Sequence, residues 1–229
     1  MVENIEYRYE LKYVISPAIA MLLKKQLGAL MQKDVHSIGD DYSYLIRSLY
    51  FDDVNSTAYY EKNDGVEYRS KYRLRMYNFD ESFIRLENKH KEENMTYKED
   101  CKVSKDVAKA LIAGRYDLII TKNAFLQRFI SDALTHRLVP SVIVDYKRLA
   151  YTYPTSEVRI TFDEELRSGR YNLDFFDKNI ETTDMYRGNG VILEVKCNEF
   201  IPEHILNILN SVPMIRQAFS KFAACRSIK

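Results

Sequence analysis

Basic side chains recur at every second residue through Arg69, Lys71, Arg73 and Arg75, and again at Arg85, Lys89 and Lys91. Arg8, Lys12, Lys98, Arg148, Arg159 and Lys196 occupy the same hydrophilic parity of their own alternating segments, accompanied by Glu10, Glu87, Asp100, Asp163 and Glu194. That places thirteen cations against five carboxylates on strand faces, in a chain whose formal net charge is only +1. A single amphipathic strand ordinarily turns a mixed-charge face to water. Several strands whose basic faces converge form a concave surface that repels itself until an anion fills it. Arginine forks grip phosphate oxygens, and a carboxylate among them can hold a divalent ion. The chemistry that suits this set is a phosphoanhydride chain, either a nucleoside triphosphate or a polyphosphate, with a metal. Nucleic acid fits poorly, because Tyr68 and Tyr72 alternate with the cations and turn their rings away from the basic side.

No Ser/His/Asp or Cys/His nucleophile set accompanies these residues. His36, His90, His136 and His204 are scattered over loop, strand and helix segments and receive no catalytic role. Phosphoryl transfer needs little covalent chemistry from a protein, since charge neutralisation, in-line positioning and exclusion of water carry most of the rate.

The elements that must present the cations are strands. Tyr7, Tyr9, Leu11 and Tyr13 alternate with Arg8, Glu10 and Lys12, so residues 5–14 read as the first strand. Seven more are expected at 44–51, 66–77, 82–91, 95–102, 141–151, 157–163 and 191–198. Hairpin-length gaps at Asn78-Phe79-Asp80 and Glu92-Glu93-Asn94 make the central strands antiparallel. Ser16 before Pro17, with Ile19, Leu22, Leu23 and Leu27 at helical spacing, begins a helix of about four turns. Shorter helices are expected at 104–113, 122–137, 202–209 and 215–226. If eight strands close into a barrel, the basic faces become its lumen and the helices cover the outside.

The 229 residues, 46% hydrophobic with 7 Gly and 5 Pro, exclude disordered and collagen-like chains and suit one domain over 1–229. Eighteen Tyr and 11 Phe favour strands. No apolar run is long enough to span a bilayer and no secretory signal opens the chain, so a cytoplasmic location is expected. Cys101, Cys197 and Cys225, odd in number and far apart, suggest reduced thiols, with Cys197 on the apolar parity.

Several spaced motifs stand in one order: Arg8-Tyr9-Glu10-Leu11-Lys12-Tyr13, Leu49-Tyr50-Phe51-Asp52, Arg73-Leu74-Arg75-Met76-Tyr77, Glu87-Asn88-Lys89, Tyr146-Lys147-Arg148, Val158-Arg159 through Asp163, Leu193-Glu194-Val195-Lys196 and Phe219-Ser220-Lys221-Phe222. Together they resemble the VTC domain, the polyphosphate polymerase module of the vacuolar transporter chaperone complex. That module belongs to the triphosphate tunnel metalloenzymes, relatives of the CYTH phosphatases. The resemblance runs from about residue 5 to residue 225.

It implies an α+β fold: an eight-stranded antiparallel β-barrel, the triphosphate tunnel, with helices packed outside. It also implies a phosphotransferase that moves the γ-phosphate of ATP onto a growing polyphosphate with Mn²⁺ or Mg²⁺. Carried onto this chain, Lys12, Arg73, Arg75, Lys89, Lys98, Arg148, Arg159 and Lys221 stand as phosphate ligands. Lys196 joins them from the lumen parity, Tyr146 stands as a hydroxyl donor, and Glu194 as the metal ligand. Glu87 and Glu10 are the alternative metal ligands, Glu87 being equally suited to an ion pair with a neighbouring arginine. Hydrolytic CYTH relatives open on Glu-x-Glu-x-Lys. Here Arg8 takes the first position, which removes one metal ligand and leans toward transfer rather than two-metal activation of water. Hydrolysis of tripolyphosphate or nucleoside triphosphates, and polyphosphate binding without turnover, remain the alternatives. Eukaryotic polymerases of the family add an inositol-polyphosphate-sensing domain and membrane helices that this sequence lacks, so translocation is expected to need another chain.

Overall fold

The computed structural model describes residues 9–34, 42–93, 95–186 and 190–227. Arg8, the start of the expected first strand and His36 lie outside the described residues. The order of elements is β1 (Tyr9–Ile15), α1 (Pro17–Gly28), β2 (Gln32–Lys33), β3 (Ser43–Asp52), α2 (Thr57–Asn63), β4 (Tyr68–Tyr77), β5 (Ile84–Glu92), β6 (Met95–Val103), α3 (Lys105–Ile112), α4 (Ala124–His136), β7 (Val139–Tyr153), β8 (Val158–Gly169), β9 (Thr183–Asp184), β10 (Val191–Cys197), α5 (Glu203–Asn210) and α6 (Lys221–Arg226).

Alternation of apolar and charged residues produces one antiparallel sheet in the order β1-β10-β8-β7-β3-β4-β5-β6, with the two-residue β2 and β9 attached to β7 and β8. These eight long strands are the eight expected from the sequence. The fold is α+β, but the sheet is not a closed barrel. β1 and β6 are the ends of the path, and no backbone ladder joins them among the described residues. The outer edge of β1 is satisfied otherwise: Gln217 N–H donates to Lys12 O at 2.8 Å, and Arg216 forms an isolated bridge with Tyr13. An extended strap at 216–220 thus takes the edge that a closing strand would occupy.

Two apolar layers cover the convex face. α3 and α4 seal one half, where Leu111, Leu126 and Phe129 pack on Leu49, Leu74 and Leu86. α1 and α5 seal the other, where Leu23, Leu27, Ile205 and Leu209 pack on Ile160, Phe162, Leu193 and Val195. Side-chain caps start these helices: Ser16 Oγ accepts from Ile19 N–H at 3.3 Å, Ser104 Oγ from Val107 N–H at 3.2 Å and Asn123 Oδ1 from Leu126 N–H at 2.9 Å.

The expectation that every helix packs outside is corrected at α6. Its Phe222 and Cys225 are fully buried against Tyr44, Ile46, Tyr50, Val142, Val144, Tyr146, Leu166 and Ile192, which all lie on the concave face of the sheet. That face is apolar at one end, and α6 fills it as a plug. The helix expected over 215–226 is helical only from Lys221, because the strap before it is committed to the β1 edge. α2 was not anticipated. It is capped by side chains ahead of it: the Asp52 carboxylate accepts from Ala58 N–H at 2.9 Å and Asp53 from Thr57 N–H at 2.9 Å, while Ser56 turns through φ +58°.

Candidate functional site

The cationic end of the concave face encloses a cavity of about 480 Å³ lined by twelve Lys or Arg side chains and two Glu. Strand register builds it. Arg73 and Glu87 stand directly opposite on the β4–β5 ladder, Lys12 and Glu194 on β1–β10, and Arg148 and Asp163 on β7–β8. Each pair places a cation over a carboxylate on the concave side.

On the β3–β4–β5 wall, Arg73 Nε donates to Glu87 Oε2 at 2.6 Å and Nη1 to the Tyr50 hydroxyl at 2.8 Å. Arg75 donates to Ser48 Oγ at 3.0 Å and to the Tyr146 hydroxyl at 3.2 Å, and lies 3.6 Å from Glu87. Glu87 is 1% exposed. Burial alone raises its pKa, but Arg73, Arg75 and Lys98 hold the carboxyl well below its ordinary value. On the opposite wall, Arg148 makes a two-pronged pair with Asp163 at 2.6 and 2.7 Å, and Lys221 reaches the same carboxylate at 2.6 Å. Burial raises the Tyr146 phenol, and Arg148, Arg75 and Lys221 around it more than offset this, leaving it below its usual range.

Between the walls, Glu10 and Glu194 share two lysines: Lys12 is 3.4 Å from each, and Lys196 is 3.6 and 3.7 Å away. Lys89, on β5, crosses from the far edge of the curled sheet to grip both Glu10 oxygens at 2.7 Å. A side-chain ion pair thus spans the gap that no backbone ladder closes. Burial would raise the Glu194 carboxyl, but Lys196, Lys12, Lys89 and Lys221 hold it well below its normal value. Lys89 is pushed down to about 7, first by burial and then by Lys12 and Lys196, with Glu10 acting the other way.

Of the residues singled out from the sequence, Lys12, Arg73, Arg75, Lys89, Tyr146, Arg148, Lys196, Lys221, Glu194 and Glu10 come together on this cavity. Three do not line it. Glu87 lies behind Arg73, Arg75 and Lys98, within ion-pair distance of all three. Lys98, 41% exposed, is held between Glu87 at 3.0 Å and Asp100 at 2.9 Å. Arg159 is drawn aside by Asp34 at 2.7 Å and the Tyr44 hydroxyl at 3.1 Å. The cavity also takes residues outside that set: Arg69, Lys71 and Lys91, visible by parity, and Lys62, Arg216 and Ser220, which come from α2 and the strap. Asp163 was visible by parity too, but its role as the shared anchor of Arg148 and Lys221 depends on where α6 inserts.

Glu194 and Glu10 fit a divalent ion that completes its shell with phosphate oxygens, since Mg²⁺ commonly binds through one or two carboxylates plus substrate phosphates. Among the described residues no third His, Cys, Asp or Glu joins them, so the donor set is not an all-protein cage. Cys101, Cys197 and Cys225 are free, buried thiols. No helix among the described residues is long and apolar enough to cross a membrane.

A curled antiparallel sheet with a cationic concave face defines the class, and comparison with solved structures agrees on the fold. A Hippeastrum protein assigned as an adenylyl cyclase, with a dominant triphosphatase activity, superposes with a TM-score of 0.59 at 17% identity, covering 97% of this chain and 95% of that one. A Bacillus halodurans protein assigned as an adenylate cyclase gives a TM-score of 0.55 at 15% identity over 91% and 88% of the two chains. The VTC domain family profile matches residues 7–228, and the chain belongs to that family. No curated protein matches it.

Proposed function

We propose that this chain is a polyphosphate polymerase-type phosphotransferase, which holds ATP and a phosphate chain in the cationic cavity and joins the γ-phosphoryl group to the chain. The observation that carries this reading is the cavity itself, with twelve cations, two carboxylates and hydroxyls from Tyr50 and Tyr146 converging on one volume. A terminal chain oxygen forms the new P–O bond, the bond from the γ-phosphorus to the β–γ bridging oxygen breaks, and ADP leaves with the electron pair. Arg73, Arg75, Arg148 and Lys221 bind and orient the equatorial oxygens, where charge spreads in a loose transition state. Tyr146, its phenol already below its usual range, donates a hydrogen bond to a phosphate oxygen. Glu194, with Glu10, would hold a divalent ion, Mn²⁺ or Mg²⁺, which would supply charge neutralisation to the phosphates. Lys12, Lys89 and Lys196, which line the same volume, bind further phosphate oxygens.

The test is incubation of the protein with ATP and Mn²⁺ or Mg²⁺, with products resolved on a gel that separates phosphate chains. Long chains together with ADP are expected. Orthophosphate as the only phosphate product would make the protein a hydrolase, and a raised melting temperature without turnover would make it a binding module.

A further inference from the structure

On the cavity wall, Lys12, Lys89, Lys196 and Lys221 each lie within ion-pair distance of a carboxylate. Lys71 has no such partner among the described residues. Its amine meets the Ser220 hydroxyl at 3.4 Å and stands over the Phe222 ring, 5.5 Å from the centroid. Burial first, and then Lys89, Lys12, Arg73 and Arg69, hold its pKa well below the ordinary lysine value. Lys89 acts on it from β5, Lys12 from β1 and the two arginines from its own strand, while Lys62 of α2 and Arg216 of the strap line the same opening. The strap and α6 present only the uncharged Ser220 and Phe222 to it. An amine so placed sheds its proton readily and can act as a base.

Ser220 is held from both sides. Its Oγ accepts from Ala223 N–H at 3.3 Å, the strap before it is bonded to β1 through Gln217, and Phe222 after it is fully buried. The hydroxyl therefore has a fixed place on the cavity. The Tyr50 and Tyr146 hydroxyls accept hydrogen bonds from Arg73 and Arg75, and a guanidinium cannot take up a proton. Facing an uncharged amine, the serine hydroxyl donates to Nζ, which is how a lysine activates a serine as a nucleophile. The contact is longer than the usual reach of a nucleophile and its base, as such pairs often are before substrate is in place.

We infer that Ser220 is a phosphoryl acceptor with Lys71 as its general base, taking the γ-phosphoryl group of a nucleoside triphosphate when no phosphate chain occupies the cavity. This rests on the reading of the cavity as a nucleoside triphosphate site. Ser220 Oγ forms a bond to the γ-phosphorus, the bond from that phosphorus to the β–γ bridging oxygen breaks, and the nucleoside diphosphate leaves with the electron pair. The hydroxyl proton passes to Lys71 Nζ. The product is a phosphoserine of roughly two negative charges beside a charged ammonium, so the anion that forms stabilises the protonated base. Its terminal oxygens are of the same kind as those ending a free phosphate chain. The first phosphate of a chain can thus be laid down on the protein itself.

The test is incubation of the full chain with γ-labelled ATP and Mn²⁺, free of phosphate and polyphosphate, followed by denaturation, digestion and mapping of the labelled peptide by mass spectrometry. ATP binding is measured separately by calorimetry. The expected result is a phosphoryl group on Ser220, stable to acid and lost in alkali, that is absent from Ser220→Ala. Lys71→Arg keeps the positive charge but supplies no base, so labelling should slow by about 100-fold or more. Labelling of Lys71→Arg at the wild-type rate would overturn the role of Lys71. ATP binding without label on Ser220, or an acid-labile label on Lys221 in its place, would overturn the acceptor and leave the nucleotide reading intact. Failure of the wild type to bind ATP would overturn both. Melting curves show whether each variant is folded, and the mapping of the wild type does not depend on them.

Discussion

Glu87→Gln discriminates between a carboxylate that braces the site and one that ligates metal. The side chain is 1% exposed, 2.6 Å from Arg73 Nε, 3.0 Å from Lys98 Nζ and 3.6 Å from Arg75 Nη1. The amide keeps the shape but removes the charge that two buried guanidinium groups rely on. Taking one partner from a buried ion pair costs about 3–5 kcal/mol, because the remaining charge is left uncompensated. Lys98 adds little, since its exposed ammonium is screened by water. For a chain of this size each kcal/mol moves the melting temperature by roughly 2–4 °C, so the free variant should melt about 6–20 °C lower. Tripolyphosphate replaces the missing negative charge, so its stabilising shift should be larger in the variant than in the wild type. Thermal unfolding followed with and without a millimolar excess of tripolyphosphate, at low salt, reads both quantities. An unchanged melting temperature combined with abolished metal-dependent turnover would refute the reasoning and make Glu87 a metal ligand.

Two further outcomes follow from the same geometry. Arg73→Ala should weaken both phosphate binding and turnover, by about 1.5–3 kcal/mol for each charge-assisted hydrogen bond lost. Glu194→Gln should retain or tighten metal-free tripolyphosphate binding yet lose metal-dependent transfer, and full turnover in Mn²⁺ would shift the metal role to Glu10. The depressed lysines make binding proton-linked. Lys89 is lowered from 10.5 to about 7 and Lys71 is lowered well below its norm, so the ligand-free protein gains stability from these groups at high pH and loses it as pH falls toward 7. Phosphate favours the charged amines, so binding at pH 8 should take up on the order of one proton. Calorimetry in two buffers of different ionisation heat measures this uptake, and buffer-independent heats at pH 8 would contradict it.

The strands were legible because parity is local: in Arg69 to Arg75 alternation alone places every cation on one face, and the register then sets Arg73 opposite Glu87. What parity could not supply is which distant side chain arrives first. Arg159 lies on the concave parity, yet Asp34, on a segment 125 residues away in sequence, holds it at 2.7 Å and keeps it off the cavity. Spacing leaves Glu87 two roles, and that Arg73, Arg75 and Lys98 converge on it is visible only in the fold. α2 escaped notice because its first turn is capped by Asp52 and Asp53, four to seven positions before the N–H groups they accept from, and not by its own Ser56.

The same limit explains the misplaced C-terminal helix and what its true position does. Helical spacing shows that Phe222 and Cys225 share a buried side, but it is silent on which surface of a sheet they bury against. The answer lies in the strands, whose hydrophilic parity becomes apolar at Ile46, Val142, Val144, Leu166 and Ile192. A concave face left apolar there must be covered, and α6 covers it. The cover is tied to the chemistry. Lys221, the first residue of α6, reaches Asp163 beside Arg148, and Ser220, which caps the helix by accepting from Ala223 N–H, also accepts from Lys71. One short segment therefore closes the apolar end, supplies a wall of the cationic end and occupies the free edge of β1. The incomplete closure of the sheet follows from this, because the strap that would be displaced by a β1–β6 ladder is the strap that carries Arg216, Ser220 and Lys221 to the cationic cavity.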